Sequence, residues 1–241
     1  MTVFVTGDTH SILDIDKLPR FFDGKESLYT KDDYLIICGD VQACGFSSVN
    51  EAQTREILSG LPVTVLFVDG NHENFDELDD LPVEKWHGGK VHFVEDDIIH
   101  LMRGQVYEID NMKFFSFGGA CSIDRAMRTR GISWFPQEIP TEEEYEEGWR
   151  NLEKNDYSVD YITSHTGPED VTSALCYGSE YDEEMEPRRY LQQVADNTSF
   201  TAWYFGHFHT DDNLDIVSTM RLLNFDYSLG QTVGVYCVCL Q

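Results

Sequence analysis

The chain has 241 residues, 41% of them hydrophobic and 13% aromatic, with a formal net charge of −27. This is enough apolar material for one packed core, so the sequence is expected to form a single domain over 1–241 rather than a disordered chain. The charge argues against long nucleic acid and anionic membrane as partners, because phosphate contacts need clustered Lys and Arg; no run of about 18 apolar residues is present to cross a bilayer.

In chain order, Thr2–Thr6 reads as a strand that ends in Gly7, Asp8, Thr9 and His10. A short amphipathic helix is expected over Ile12–Phe22. The pattern repeats in Asp33–Asp40, an apolar strand finishing in Gly39 and Asp40, and a helix is expected over Val49–Leu58, stopped by Gly60 and Pro62. Val63–Val68 gives a third strand, followed by Asp69, Gly70, Asn71, His72 and Glu73. Strands that end in glycine plus ligand-type side chains, with helices between, predict strand-helix-strand units with functional groups at the carboxyl ends of the strands.

From Val91 to Gly118 the segments VHFV, IIHL, QVYEI and MKFFSF follow one another closely, with turns at Arg103-Gly104 and Asp110-Asn111, and read as antiparallel hairpins. A loop rich in arginine and aromatics covers Ser122–Pro140. Thr141 with Glu144 makes a capping box for an acidic helix running to about Asn155. Tyr161–Thr163 is a strand leading to Ser164 and His165, and helices are expected over Pro168–Leu175 and Glu186–Ala195. Ala202–Gly206 reads as a buried strand ending in His207 and His209. On an extended backbone these two imidazoles would converge on one object; in a loop they could serve two neighbouring ones. Leu214–Val217, Arg221–Phe225 and Thr232–Leu240 are the closing strands.

The six cysteines are spread widely and include no CxxC pair, which argues against a thiolate zinc site and for buried free thiols in a reducing compartment. The opening VFVTGD follows no basic and apolar leader, so a cytoplasmic location is expected.

The strand-end groups are Asp8, His10, Asp40, Asn71, His72, His165, His207 and His209. Singly, Asp8 and Asp40 could be turn residues, Asn71 a left-handed turn residue and His165 an ordinary histidine. Together, as GDTH, GDVQACG, GNHE, SH and GHFH in this order over positions 7–209, they resemble the calcineurin-like metallophosphoesterases. The resemblance implies an α/β fold, a four-layer α/β/β/α sandwich of two mixed sheets. It implies two divalent ions, one on Asp8, His10 and His209, the other on Asn71, His165 and His207, with Asp40 bridging. This mixed oxygen and nitrogen set suits Mn, Fe, Zn or Ni better than Mg or Ca. It further implies hydrolysis of a phosphoester by in-line attack of a metal-bound hydroxide, with His72 as the catalytic residue assisting the leaving group. The expected substrate is a small phosphomonoester, phosphodiester or nucleotide; a non-catalytic metal-binding scaffold on the same fold is the rival of a different class.

The sequence departs from the pattern at Ala43 and Cys44, where many members carry an aspartate and an arginine, so what orients His72 is open. The stretch FGGACSIDRAMRTRGISWFP resembles one in a bacterial and phage-associated subgroup of the family. With only 17 Lys and Arg in the chain, Arg125, Arg128 and Arg130 either supply substrate contacts, including a phosphate clamp, or pair with the acidic helix that follows. His87, His92 and His100 match no block and are expected to be structural or surface residues, while Asp69 and Glu73 are either acceptors that orient an imidazole or solvated turn residues.

Overall fold

The structure is a computed structural model that describes residues 1–45, 48–175, 182–209, 212–214 and 234–237. Strand alternation organises it. In the second strand Tyr34 and Ile36 face one way, Leu35 and Ile37 the other, and all four are buried, which requires a layer on each face of the sheet. One sheet runs in the order β1 (Val3–Thr6), β2 (Tyr34–Ile37), β3 (Thr64–Phe67), β6 (Ile98–Leu101), β5 (Gly89–Glu95), β4 (Val83–Trp86). The other runs β11 (Asp212–Leu214), β12 (Gly234–Cys237), β10 (Ala202–Phe205), β9 (Tyr161–Ser164), β8 (Met112–Phe117), β7 (Gln105–Ile109). Among the described residues, three of the strand pairings in each sheet are parallel and two antiparallel, so both sheets are mixed.

Three apolar clusters separate four layers. Leu35, Ile37, Val65 and Phe67 pack under Leu18, Phe22 and Leu58, from α1 (Lys17–Phe22) and α2 (Ser48–Ser59). Ile36, Leu66, Ile99, Tyr107 and Phe114 fill the space between the sheets. Phe115, Phe117, Ile162 and Trp203 pack under Tyr145, Leu152, Tyr190 and Val194, from α4 (Glu142–Lys154) and α6 (Asp182–Asn197). The expected α/β/β/α sandwich is the observed one. Two short helices, α3 (Phe75–Asp79) and α5 (Glu169–Ala174), complete it.

Several boundaries differ from those expected. The helix over Ile12–Phe22 is broken into a 3-10 turn at Ser11–Leu13 and α1, because Pro19 has no N–H and its ring would collide with the carbonyl four residues back. Arg103-Gly104 does not close a hairpin: β6 before it pairs β3 and β5, whereas β7 after it pairs β8, so the chain crosses between sheets there. β4 was not anticipated from the sequence. The helix at Thr141 forms as expected, with both reciprocal capping-box hydrogen bonds present. Cys38, Cys44 and Cys121 are buried thiols. The strand expected over Arg221–Phe225, the ends of those over Leu214–Val217 and Thr232–Leu240, and the side chains of Cys176, Cys237 and Cys239 lie outside the described residues. No helix among the described residues is long and apolar enough to cross a membrane.

Candidate metal centre

The loops leaving β1, β2 and β3 of one sheet and β9 and β10 of the other meet at one edge of the sandwich. They bring Asp8, His10, Asp40, Asn71, His72, His165, His207 and His209 together. Asp8, His10, Asp40, His207 and His209 hold left-handed backbone angles, with φ of 53°, 45°, 56°, 72° and 51°. Such angles cost non-glycine residues free energy and persist where surrounding contacts enforce them, as at ligand clamps. Gly39 and Gly70 give the room. A Cβ on Gly39, itself at φ +90°, would lie 2.1 Å from His165 Nδ1, and one on Gly70 would lie 2.1 Å from Asp40 Oδ1.

His10 Nε2 is 3.0 Å from His209 Nε2 and 3.6 Å from Asp40 Oδ2. On the other side of Asp40, His165 Nε2 is 3.4 Å from Asp40 Oδ1 and 3.1 Å from Asn71 Oδ1. The His207 ring stands 5.0 Å from that of His165, and the His207 N–H donates to Asp8 Oδ1 at 2.9 Å. The two histidines after β10 therefore turn to different neighbours: both lie in the loop, and the alternation of a strand does not apply. Among the described residues, three groups of acidic and imidazole ligand atoms form, Asp8-His10-His209, His10-Asp40-His72 and Asp8-Asp40-His165. Asn71 is not left-handed and acts through its amide.

The electrostatics are those of a site short of positive charge. Burial pushes the Asp8 carboxyl up to about 7 and lowers His10 to about 4. Burial acts on Asp40 and His165 too, but their mutual attraction overrides it, holding Asp40 well below the usual carboxylate range and raising His165 to about 9. His165 Nδ1 is 2.8 Å from the Cys38 carbonyl, so that nitrogen carries a hydrogen, and Nε2 then faces two oxygens, those of Asp40 and Asn71. Three acceptor atoms meeting there require a proton or a cation between them. Asp8 Oδ2 is buried with no hydrogen-bond partner among the described residues. Two nitrogens bound to one small ion at tetrahedral angles stand roughly 3.4 Å apart, near the His10–His209 separation. On these grounds the residues fit divalent ions, with the donor set of a borderline transition metal.

Around the cluster, Glu73 is fully buried and accepts the backbone N–H groups of Val41 and Gln42, which fixes the turn after Asp40; burial pushes its carboxyl up to about 8. Asp69 is also buried, bonded by Arg103 and by His100, whose Nδ1 lies 3.1 Å from His92 Nδ1. Neither acid is solvated, and His92 and His100 are structural, as expected. His72 donates its backbone N–H to Asp40 Oδ1, and its ring meets Arg128, whose Nη2 is 2.9 Å from Nε2. Burial first, and then the guanidinium, lowers the His72 pKa. Arg128 is itself held by Asp124, not by the acidic helix. Arg125 lies half-buried in a 3-10 turn, Arg125–Met127, and Arg130 is exposed.

Sequence reasoning missed Asp124, Ser122 and Glu138. Ser122 accepts from Asn71 Nδ2 at 3.1 Å and donates its own hydroxyl hydrogen to Glu138. Their partners are far off along the chain, and no local pattern marks them.

Residues 1–211 match the family described as calcineurin-like phosphoesterase. Among solved structures, the chain is similar to phosphopantetheinyl hydrolase from Mycobacterium tuberculosis, with 18% identity and a TM-score of 0.51, over 99% of this chain and 89% of that one. It is also similar to a candidate 5′-nucleotidase from Staphylococcus aureus, with 13% identity and a TM-score of 0.48, over 98% of this chain and 48% of that one. At these identities the likeness concerns the fold. No curated protein matches the sequence.

Proposed function

Since the chain belongs to the calcineurin-like phosphoesterase family, and is thereby a phosphoester hydrolase, we propose that it works with two divalent ions at the cluster just described. Asp8, His10 and His209 would hold one, Asn71, His165 and His207 the other, with Asp40 between them. Mn, Fe, Zn and Ni all suit these donors. Ions bound there would supply Lewis acidity towards a phosphoryl oxygen and a water of lowered pKa as nucleophile.

The chain's own residues perform the rest. Asp40 offers one carboxylate oxygen towards each half of the cluster, which keeps the halves in a fixed relation. Glu73 holds the backbone beyond Asp40, so the bridge is rigid before substrate arrives. His72 stands at the open side of the cluster, its ring 5.0 Å from that of His10, where it would hydrogen-bond the leaving oxygen. Arg128 takes up the duty left vacant by Ala43 and Cys44: it fixes the ring of His72 and can turn a guanidinium N–H to a phosphoryl oxygen. Because a guanidinium only donates, the ring nitrogen facing it must present a lone pair, so His72 waits in its neutral form.

The observation that supports the reading is the gathering of carboxylate and imidazole ligand atoms from Asp8, His10, Asp40, His72, His165 and His209 into groups of three that lie within 4.8 Å of one another. The substrate is a small phosphoester, and comparing a mono-aryl with a bis-aryl phosphate in the presence of Mn²⁺ decides between phosphatase and phosphodiesterase. His72→Ala and Asp40→Asn should each abolish most turnover. Turnover unchanged in both, or absent from the wild type despite bound metal, would leave the scaffold reading standing.

A further inference from the structure

Asn71 can serve an ion only through Oδ1, because its NH2 group donates and has no lone pair to offer. The planar amide has two orientations of nearly equal shape, so something must choose between them. On one side Oδ1 is 3.1 Å from His165 Nε2; on the other Nδ2 is 3.1 Å from Ser122 Oγ. Ser122 Oγ in turn lies 2.7 Å from Glu138 Oε2. Glu138 is fully buried, and its Oε1 accepts from Ser122 N at 2.8 Å and from Trp134 Nε1 at 2.9 Å.

A carboxylate has no hydrogen to give, so the single hydroxyl hydrogen of Ser122 goes to Glu138. Only lone pairs then face Asn71, and the amide must present its NH2 to them. We propose that Glu138, acting through Ser122, is a positioning group that fixes Asn71 with its carbonyl oxygen turned to the metal centre. The inference rests on the two-ion reading above and adds a residue to it. It also ties the arginine-bearing loop to a metal ligand, since Glu138 holds Trp134 and Ser122 from the two ends of that loop.

The isosteric change Glu138→Gln should reverse the relay. Two N–H donors hold Oε1, so the new NH2 must face Ser122 Oγ. Ser122 then accepts there and turns its hydrogen to Asn71, which answers with Oδ1 and leaves its NH2 towards the ions. Adding Asn71→Asp repairs this: one carboxylate oxygen takes the Ser122 hydrogen and the other faces the centre. The double variant carries the same net charge as the wild type, with the acid and the amide exchanged.

The test is calorimetric titration of metal-free protein with MnCl2, alongside far-UV circular dichroism of each apo form. Glu138→Gln should weaken Mn²⁺ binding by about 10- to 100-fold, the range for groups that orient ligands, and Glu138→Gln/Asn71→Asp should bind more tightly than Glu138→Gln. Because a carboxylate at position 71 adds negative charge whatever orients it, Asn71→Asp alone is the control: the relay gives a larger gain from Asn71→Asp in the Glu138→Gln background than in the wild type, and equal gains overturn it. Binding by Glu138→Gln equal to wild type, or a double variant no tighter than Glu138→Gln, overturns the proposal. Should Glu138→Gln fail to fold, Ser122→Ala takes its place: weaker binding supports the relay, and unchanged binding overturns it. A wild type that takes up no Mn²⁺ brings down the metal centre as a whole, whereas a wild type that binds beside an unaffected Glu138→Gln sinks the relay alone.

Discussion

Arg103 is the group whose loss should be felt most widely outside the metal centre. It sits where the chain crosses between the sheets, and its guanidinium reaches Asp69 after β3, Glu144 in α4 and the Gln137 carbonyl in the arginine-bearing loop. The side chains of Arg103 and Asp69 are 5% and 1% exposed, so this is a buried ion pair. Replacing such a pair by apolar groups can be neutral, but removing one partner strands the other charge, at a cost of about 3–5 kcal/mol. Arg103→Met keeps the stem and removes the charge. For a chain of this size, at about 2–4 °C per kcal/mol, the metal-free protein should melt about 6–20 °C lower.

The pH dependence carries a sign. Burial would raise the Asp69 carboxyl, but Arg103 and then His100 hold it well below the usual range. A depressed carboxylate contributes stability above its unfolded pKa, near about 3.9, and loses it as pH falls. In Arg103→Met, Asp69 keeps only His100 and is easier to protonate, so the gap between wild type and variant should narrow from pH 7 towards pH 3. Thermal and guanidinium unfolding at several pH values, with Asp69→Asn and the double variant completing a cycle, measures this. A loss below about 1 kcal/mol, the range of an exposed pair, or a gap constant with pH, would refute the reasoning. Additive single effects would do so as well.

Mn²⁺ binding should release protons at pH 7, because His165, raised to about 9, must give up its Nε2 hydrogen, and affinity should climb with pH up to that value; calorimetry in buffers of different ionisation enthalpy counts the protons, and a count of zero contradicts the His165 assignment. Arg128→Ala should lower kcat/KM by about 10- to 100-fold, the worth of one charged hydrogen bond at about 1.5–3 kcal/mol, and should exceed Arg125→Ala and Arg130→Ala, because the Arg128 guanidinium contacts the ring of His72. Equal effects of all three would reassign the loop to general attraction. Gly39→Ala should abolish Mn²⁺ uptake by driving a methyl group into His165, in elemental analysis of purified protein; full loading would mean that the β2 and β9 loops separate freely.

What the sequence could reveal follows from distance along the chain. Asp8, Asp40, Asn71, His165 and His207 each lie within a few residues of a strand end, so a local pattern finds them, and the same holds for the capping box of Thr141 and Glu144. The crossing at Arg103-Gly104 is different. A turn sequence says that the chain reverses but not which strand it joins next, and two sheets were available. Ser122 reaches Asn71 across 51 positions, and Arg128 reaches His72 across 56. Only the folded chain makes such pairs neighbours, which is why an arginine-rich loop could be suspected of substrate contact without a choice among its arginines.

The charge of −27 now takes on a specific consequence. Of the side chains that build the site, Asp8, Asp40, Asp124 and Glu138 are acids, and Arg128, paired with Asp124, is the guanidinium at His72. Without ions, Arg128 and the protonated His165 face these acids, and even with Asp8, raised to about 7, half-protonated at neutral pH, this edge of the sandwich stays net negative. Two divalent ions, as proposed, would reverse the local sign, so metal would bind before substrate, and the same acids would raise the affinity for the ions. The acidic surface beyond the cluster still opposes an incoming phosphate after loading, and screening it with salt reduces that opposition. This would be the reverse of an enzyme that steers its substrate by a basic face, and under the proposed reading substrate capture would rest on contacts made at the site itself, with Arg128 and His72 the first of them.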